Sequence, residues 1–185
     1  MNPEPRDVRS LVQQIRAGSR PSFVFFWGHT SASDHVGKEC LSQWYPAPFV
    51  VEGVTYATAE HYMMAEKARL FGDEDVAHAI LAAPHPSVAK DLGRKVRGFD
   101  GKVWERHRFE VVVRGNDAKF AQNAPLGEYL RQTGDSVLVE ASPTDAVWGM
   151  GLAADDPRAK EPASWRGLNL LGFALMDVRA RLTTP

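Results

Sequence analysis

Glu60 and Lys67 carry the chain's most chemically suggestive pattern. The segment Tyr56-Ala57-Thr58-Ala59-Glu60-His61-Tyr62-Met63-Met64-Ala65-Glu66-Lys67-Ala68 reads as a helix behind a Thr58 N-cap. At helical spacing Glu60, Met63 or Met64, and Lys67 share one face over two turns, with Leu70 or Phe71 beyond them. That face is largely apolar and expected to be buried, while Glu66, Arg69 and Asp73 are expected to face solvent. A carboxylate and an amine on an apolar face are costly unless they are paired or used. Used, the acid is a general base or proton shuttle. The amine is then a nucleophile toward an imine-forming carbon, or a cation for phosphate. Unused, Glu60 favours the helix dipole at the first turn and Lys67 snorkels. Spacing alone leaves both readings open.

Two further clusters bear on that choice. Lys90-Asp91-Leu92-Gly93-Arg94-Lys95-Val96-Arg97 concentrates positive charge beside a helix end, which suits a phosphate as well as it suits a solvated basic turn. Trp104 is a core residue or a stacking platform. The run from Val139 to Gly151 sets Glu140, Asp145 and Trp148 at a strand end and in the loop after it, where ligand-reading residues tend to sit. Aromatic rings beside carboxylates and glycines suit a planar base with a sugar attached.

Other motifs fail on context. Gly149-x-Gly151-x-x-Ala154 lies well past the strand end at Glu140 and runs into Asp155-Asp156-Pro157, so it lacks the strand–turn–helix of a dinucleotide fold. Gly37-Lys38 is followed by Glu39, which is no P-loop. The histidines form no HExxH, one cysteine builds no zinc cluster, and there is no nucleophile elbow. No metal and no cofactor are expected.

Composition sets the class. The chain has 185 residues, 44% hydrophobic and 24% charged, which is ordinary for one globular domain. Its net charge of −1 argues against coating long duplex nucleic acid, while leaving room for a local phosphate pocket. The lone Cys40 excludes an internal disulfide framework and fits a reducing compartment. Residues 1–22 have no apolar signal core, and Phe23–Trp27 and Leu168–Met176 are too short to span a bilayer. The expectation is a cytoplasmic protein with no membrane partner.

The elements follow from periodicity and punctuation. A lead-in helix is expected over Pro5–Ala17 and a strand over Phe23–Phe26, followed by a long irregular loop, Trp27–Pro48. Phe49–Val51 and Val54–Tyr56 flank Glu52-Gly53 as a hairpin. Helices are expected at Glu60–Leu70, Asp75–Ala82, Pro86–Gly93 and Lys102–Arg114, then separately near Ala118–Asn123 and Leu126–Gln132. A strand at Val137–Glu140, a second long loop at Ala141–Gly167 and a helix at Asn169–Leu182 close the chain. The fold class is α+β: a single, mostly helical domain with a few short strands and two long loops around one cleft.

The ordered series Phe25 to Gly28, Tyr56 to Lys67, Leu92-Gly93-Arg94, Trp104, Lys119-Phe120, Leu138 to Asp145, Trp148-Gly149 and Gly167-x-Asn169-x-Leu171-Gly172-x-x-Leu175-Met176 resembles the NADAR superfamily. The resemblance runs from about Phe23 to Leu182, giving an N-terminal helical extension (1–22) and a NADAR-like N-glycosidase domain (23–185). This chain departs from the family in its Phe26-Trp27-Gly28-His29 start to a long loop, and in Met63-Met64 where others carry Phe-Gln.

What the resemblance implies is hydrolysis of an N-glycosidic bond. Two substrate classes go with the family: ADP-ribose attached to guanine, in nucleotide, DNA or RNA, and phosphoribosylamino-pyrimidine intermediates of riboflavin synthesis. The first is favoured here, because long aromatic loops suit a dinucleotide-sized ligand. A non-catalytic ADP-ribose or nucleotide-binding module is the alternative from another class. By the same resemblance Glu60, Lys67 and Asp145 are the catalytic candidates, without metal. Trp27, Gly28, His29, Tyr62, Arg94, Trp104, Trp148, Gly149 and Asn169 are the candidates for substrate binding. A ribosylamine can be cleaved by base-activated water at an oxocarbenium-like C1′. It can also ring-open to an imine that Lys67 captures before water releases the sugar. Two helical turns separate the Cα atoms of Glu60 and Lys67 by roughly 10 Å, which lets both side chains flank one sugar.

Overall fold

The computed structural model describes residues 4–30 and 35–183, so Ser31 to Asp34 of the first long loop lie outside the described residues. In chain order come α1 (Val8–Arg16), β1 (Phe23–Phe26), a 3₁₀ turn (Lys38–Leu41), β2 (Phe49–Val51), β3 (Val54–Tyr56) and α2 (Ala59–Leu70). They are followed by α3 (Glu74–Leu81), α4 (Pro86–Gly93), α5 (Gly101–Gln122), α6 (Ala124–Gln132), β4 (Val137–Glu140), a second 3₁₀ turn (Pro162–Ser164) and α7 (Leu170–Thr183). Helices dominate, the strands are short, and the class is α+β. The chain gathers into two compact units: residues up to 42 together with those from 125 onward, and residues 43–124.

In the unit 43–124, β2 and β3 pair antiparallel with Phe49 opposite Tyr56. Glu52 and Gly53 both have positive φ, 49° and 78°, the turn whose twist matches a hairpin. The Thr58 hydroxyl accepts from the His61 amide and opens α2, and Gly72 at φ 70° follows its end. Nearly every residue of α2 from Ala59 to Ala68 is buried, so this is a central helix rather than a surface one. Ile80 of α3, Ala89 of α4 and Val112 and Val113 of α5 belong to the same core.

Two expectations change here. The stretches Lys102–Arg114 and Ala118–Asn123 are one continuous helix, α5. Gly115 reads as a breaker by propensity. Its place is set by packing, because a Cβ there would overlap the Tyr62 ring. Asn116 is held by donating to the Val112 carbonyl at 2.9 Å and to Gln43 Oε1 at 2.7 Å. Asp73 is buried rather than solvent-facing: its carboxylate accepts from the Arg97 amide at 2.8 Å and from the Arg97 guanidinium. That clasp ties the start of α3 to the segment after α4.

In the other unit β1 and β4 run parallel, from Phe23 opposite Val137 to Phe26 opposite Glu140. The helix α7 packs on β4, and α1 packs against Pro162–Ser164. An Asp7–Ser10 capping box starts α1. The contact between α7 and β4 is close enough that a Cβ on Gly172 would overlap the Leu138 carbonyl oxygen. A main-chain oxygen in a strand cannot rotate aside. Gly172→Ala therefore costs about 1–3 kcal/mol of overpacking despite its better helix propensity. Melting curves check this: a fall of several degrees is expected, and an unchanged or higher Tm would refute the close contact.

Candidate functional site

The helix α2 places Glu60 on its first turn and Lys67 two turns later. Glu60 is buried, 3% exposed, and its amide donates to the Gln43 carbonyl at 2.9 Å. Lys67 is half-buried. Its Nζ donates to the Gly93 carbonyl, at the end of α4, at 2.7 Å. The same Nζ stands 4.3 Å from the centroid of the Phe99 ring and 6.0 Å from that of Trp104. Burial holds this amine below the ordinary lysine value of 10.5, and the nearby Arg94 charge adds to that lowering, while Glu60 opposes it. The approach of α2 to α4 depends on Gly93, since a Cβ there would overlap the Met64 sulfur.

A lowered amine held by one carbonyl beside two aromatic rings is suited to nucleophilic work. Arg94, the C-cap of α4, is largely exposed and bonds Asp91 at 2.8 Å, so its guanidinium remains at the surface. Trp104 is half-exposed on α5. Glu66 and Arg69, expected to face solvent, are part-buried: Glu66 and the Tyr56 hydroxyl both accept from Arg69, at 2.6 and 2.7 Å.

Behind Glu60 the imidazole of His61 is fixed in one tautomer. Its Nε2 faces the Ala83 carbonyl at 3.0 Å and must donate, so Nδ1 accepts from the Thr58 hydroxyl at 2.8 Å. Burial, aided by the charge of His85, holds His61 below its ordinary 6.5 against the Ala83 hydrogen bond. The unfolded chain then binds a proton that the folded chain refuses. The stability from neutral His61 is complete above about pH 6.5 and is lost as pH falls through the lower folded value. Melting at pH 7.5 and 5.5 checks this: the wild type loses more Tm on acidification than His61→Gln, and equal losses would refute it.

In the other unit the parallel pairing sends two loops from one strand end. The Ala141 amide donates to the Phe26 carbonyl at 2.9 Å, extending the ladder to the point where both loops leave. Trp27 is 65% exposed there, Gly28 has φ 80°, and His29 is half-buried. After β4, Asp145 Oδ1 accepts from the amides of Val147 and Trp148, at 2.8 Å each, and orders the loop that presents the half-exposed Trp148. Gly149 is required there, because a Cβ would lie 2.9 Å from the Glu140 carbonyl. Ligand sites of open α/β sheets lie off the carboxyl ends of parallel strands, and this end has the same polarity.

A pattern for the NADAR domain matches residues 25–183. The chain belongs to the NADAR family. It is 41% identical over 162 residues to N-glycosidase R617 of Acanthamoeba polyphaga mimivirus, covering 85% of this chain and 94% of that one. It is 34% identical over 171 residues to N-glycosidase YbiA of Escherichia coli, covering 92% and 95%. The NMR structure of E. coli YbiA superposes with a TM-score of 0.70 at 30% identity, over 92% of this chain and 90% of that one.

Within this NADAR chain, Glu60, Lys67, Arg94 and Trp104 lie in one unit, and Trp27, Gly28, His29, Asp145, Trp148, Gly149 and Asn169 in the other. Two substrate-binding expectations meet a structural use instead. Tyr62 is 1% exposed between Phe49 and Tyr56, at ring distances of 5.9 and 5.0 Å, and burial pushes its phenol up to about 12. It is a core ring. Asn169 is fully buried with φ 51°. Its Oδ1 accepts from the Glu140 amide at 3.0 Å and its Nδ2 donates to the Leu138 carbonyl at 2.9 Å. Both ends of the amide are thus committed to β4, where they fix the start of α7. Sequence reasoning missed the Gly93 carbonyl and Phe99. The signal for Phe99 was a large apolar residue alone in the turn Gly98-Phe99-Asp100-Gly101. Among the described residues no three His, Cys, Asp or Glu side chains gather as metal ligands, and no helix is long and apolar enough to cross a membrane.

Proposed function

We propose that the protein is a hydrolase of N-glycosyl bonds that frees ADP-ribose from guanine by cleaving between ribose C1′ and the exocyclic amine of the base. Free nucleotide and ADP-ribosylated DNA or RNA are the substrates this reading admits. Its support is the naming of relatives matched over nearly their whole length as N-glycosidases, together with the chemistry of α2. The observation that carries it is the Lys67 amine, lowered by burial and held on the Gly93 carbonyl, on the helix that buries Glu60.

In the proposed reaction the ribosylamine ring-opens to an imine at C1′. The Lys67 Nζ lone pair adds to C1′, and Glu60 carries a proton from Nζ to the nitrogen of the base. The C1′–N bond to the base then breaks, releasing the free amine and leaving a lysyl imine. Water adds to that imine, the Nζ–C1′ bond breaks, and the sugar aldehyde recloses its ring. The net reaction consumes one water and returns both side chains unchanged. Arg94, exposed beside the amine, is proposed to meet a phosphate of the substrate.

The test gives the purified protein an ADP-ribosylated guanine oligonucleotide and, separately, a phosphoribosylamino-pyrimidine, with products read by mass spectrometry. Release of ADP-ribose and intact guanine is expected. Cleavage of the pyrimidine compound alone would overturn the substrate and leave the bond class. Binding without any product would make the chain a nucleotide-binding module.

A further inference from the structure

Phe99 is a large apolar side chain left 48% exposed in the turn between α4 and α5, and no core packing explains it. Its ring meets that of Phe71 in a T-shaped contact, 5.3 Å between centroids. Its face lies over Lys67 Nζ at 4.3 Å. Gly98, at φ 68°, gives the turn the left-handed backbone that brings residue 99 back toward α2. Trp104, a turn into α5, stands at 6.0 Å from the same nitrogen, and the Gly93 carbonyl holds it from the end of α4.

We infer that Phe99 is a positioning residue for the Lys67 amine: its ring, with Trp104, walls Nζ off from water while the Gly93 carbonyl aims it. This rests on Lys67 being the working amine. The role opposes two effects of one ring. Covering the nitrogen withdraws water from the ammonium and favours the neutral amine. The π-face attracts the ammonium and favours the charged form. Burial is the leading cause of the lowering at Lys67, and the ring is placed to supply part of that burial at 4.3 Å from Nζ. The charged groups acting on the amine are Arg94 at the end of α4, which supports the lowering, and Glu60 on α2, which resists it. The turn and α5 bring it the two rings.

The two effects separate by substitution. Phe99→Ala removes both cover and π-face, whereas Phe99→Leu keeps an apolar cover and removes only the π-face. The readout is competitive labelling with acetic anhydride from pH 6 to 11, quantified by peptide mass spectrometry. Exposed Lys102 in the same molecule serves as the reference. In the wild type Lys67 is expected to titrate below Lys102 and to acylate more slowly at high pH. In Phe99→Ala its midpoint moves up toward that of Lys102 and its high-pH labelling rises severalfold. In Phe99→Leu the midpoint stays at or below the wild-type value. A Phe99→Ala protein whose Lys67 keeps the wild-type midpoint and rate would overturn the inference. So would a wild-type Lys67 that titrates with Lys102. Labelling needs no turnover, so it stands apart from the failure of the proposed reaction. If that reaction holds, the acid limb of kcat moves to higher pH in Phe99→Ala by the same shift.

Discussion

Glu60→Gln is expected to slow product formation by about 10²–10⁴-fold, the scale of losing a positioned proton carrier, while the ligand still binds. The substitution is nearly isosteric and its amide cannot shuttle a proton. Position 60 stays where it is, because its backbone amide is bonded to the Gln43 carbonyl and the helix is started by Thr58. Single-turnover mass spectrometry gives the rate, and ligand-induced thermal stabilisation gives retained binding. A variant with wild-type rate would reduce Glu60 to a structural residue of the first turn. A variant with neither product nor binding would show that position 60 serves recognition rather than proton transfer.

Lys67→Met is expected to lose about 10²-fold or more, and Lys67→Arg is expected to fail with it. Methionine keeps the apolar stem and removes the amine. Arginine keeps the charge, yet its guanidinium does not give up a proton in proteins and forms no imine. The pair therefore separates a nucleophile from a phosphate anchor, since an anchor is largely restored by arginine. The pH dependence has a definite sign. In the proposed route Nζ attacks only when neutral, so kcat is expected to rise with pH as Lys67 loses its proton. Burial and Arg94 place that rise below the ordinary lysine value of 10.5. Borohydride added during turnover is expected to trap a sugar adduct on the Lys67 peptide. An active enzyme left unmodified under effective trapping would contradict the covalent route and favour base-activated water.

Local chemistry was legible wherever the chain settles its own geometry. Glu52-Gly53 specifies a hairpin because both residues adopt positive φ, and Thr58, Gly72 and Pro86 mark helix ends through caps and a missing amide. The burial of Glu60 was readable from spacing, whereas the burial of α2 on nearly every side, with Lys67 only half-buried, was not. What depended on distant partners was not readable. Gly115 looks like a break until the Tyr62 ring occupies the space a Cβ would take. Asp73 looks solvated until Arg97 closes on it from beyond α4. Asn169 looks like a ligand reader until β4 takes both ends of its amide. Phe99 has no periodicity to give it away, and its meaning is the position of a lysine nitrogen far away in sequence. The parallel pairing of β1 with β4, which brings two loops to one strand end, also has no local signature.

The most direct measurement is mass-spectrometric detection of ADP-ribose and guanine released from ADP-ribosyl-guanine, without added metal, by the wild type and by Glu60→Gln side by side. Equimolar ADP-ribose and intact guanine from the wild type, with the variant slower by at least about a hundredfold, is the predicted result. Equal release by both proteins, or none from a wild type that binds the compound, would contradict hydrolysis driven by the α2 acid and amine.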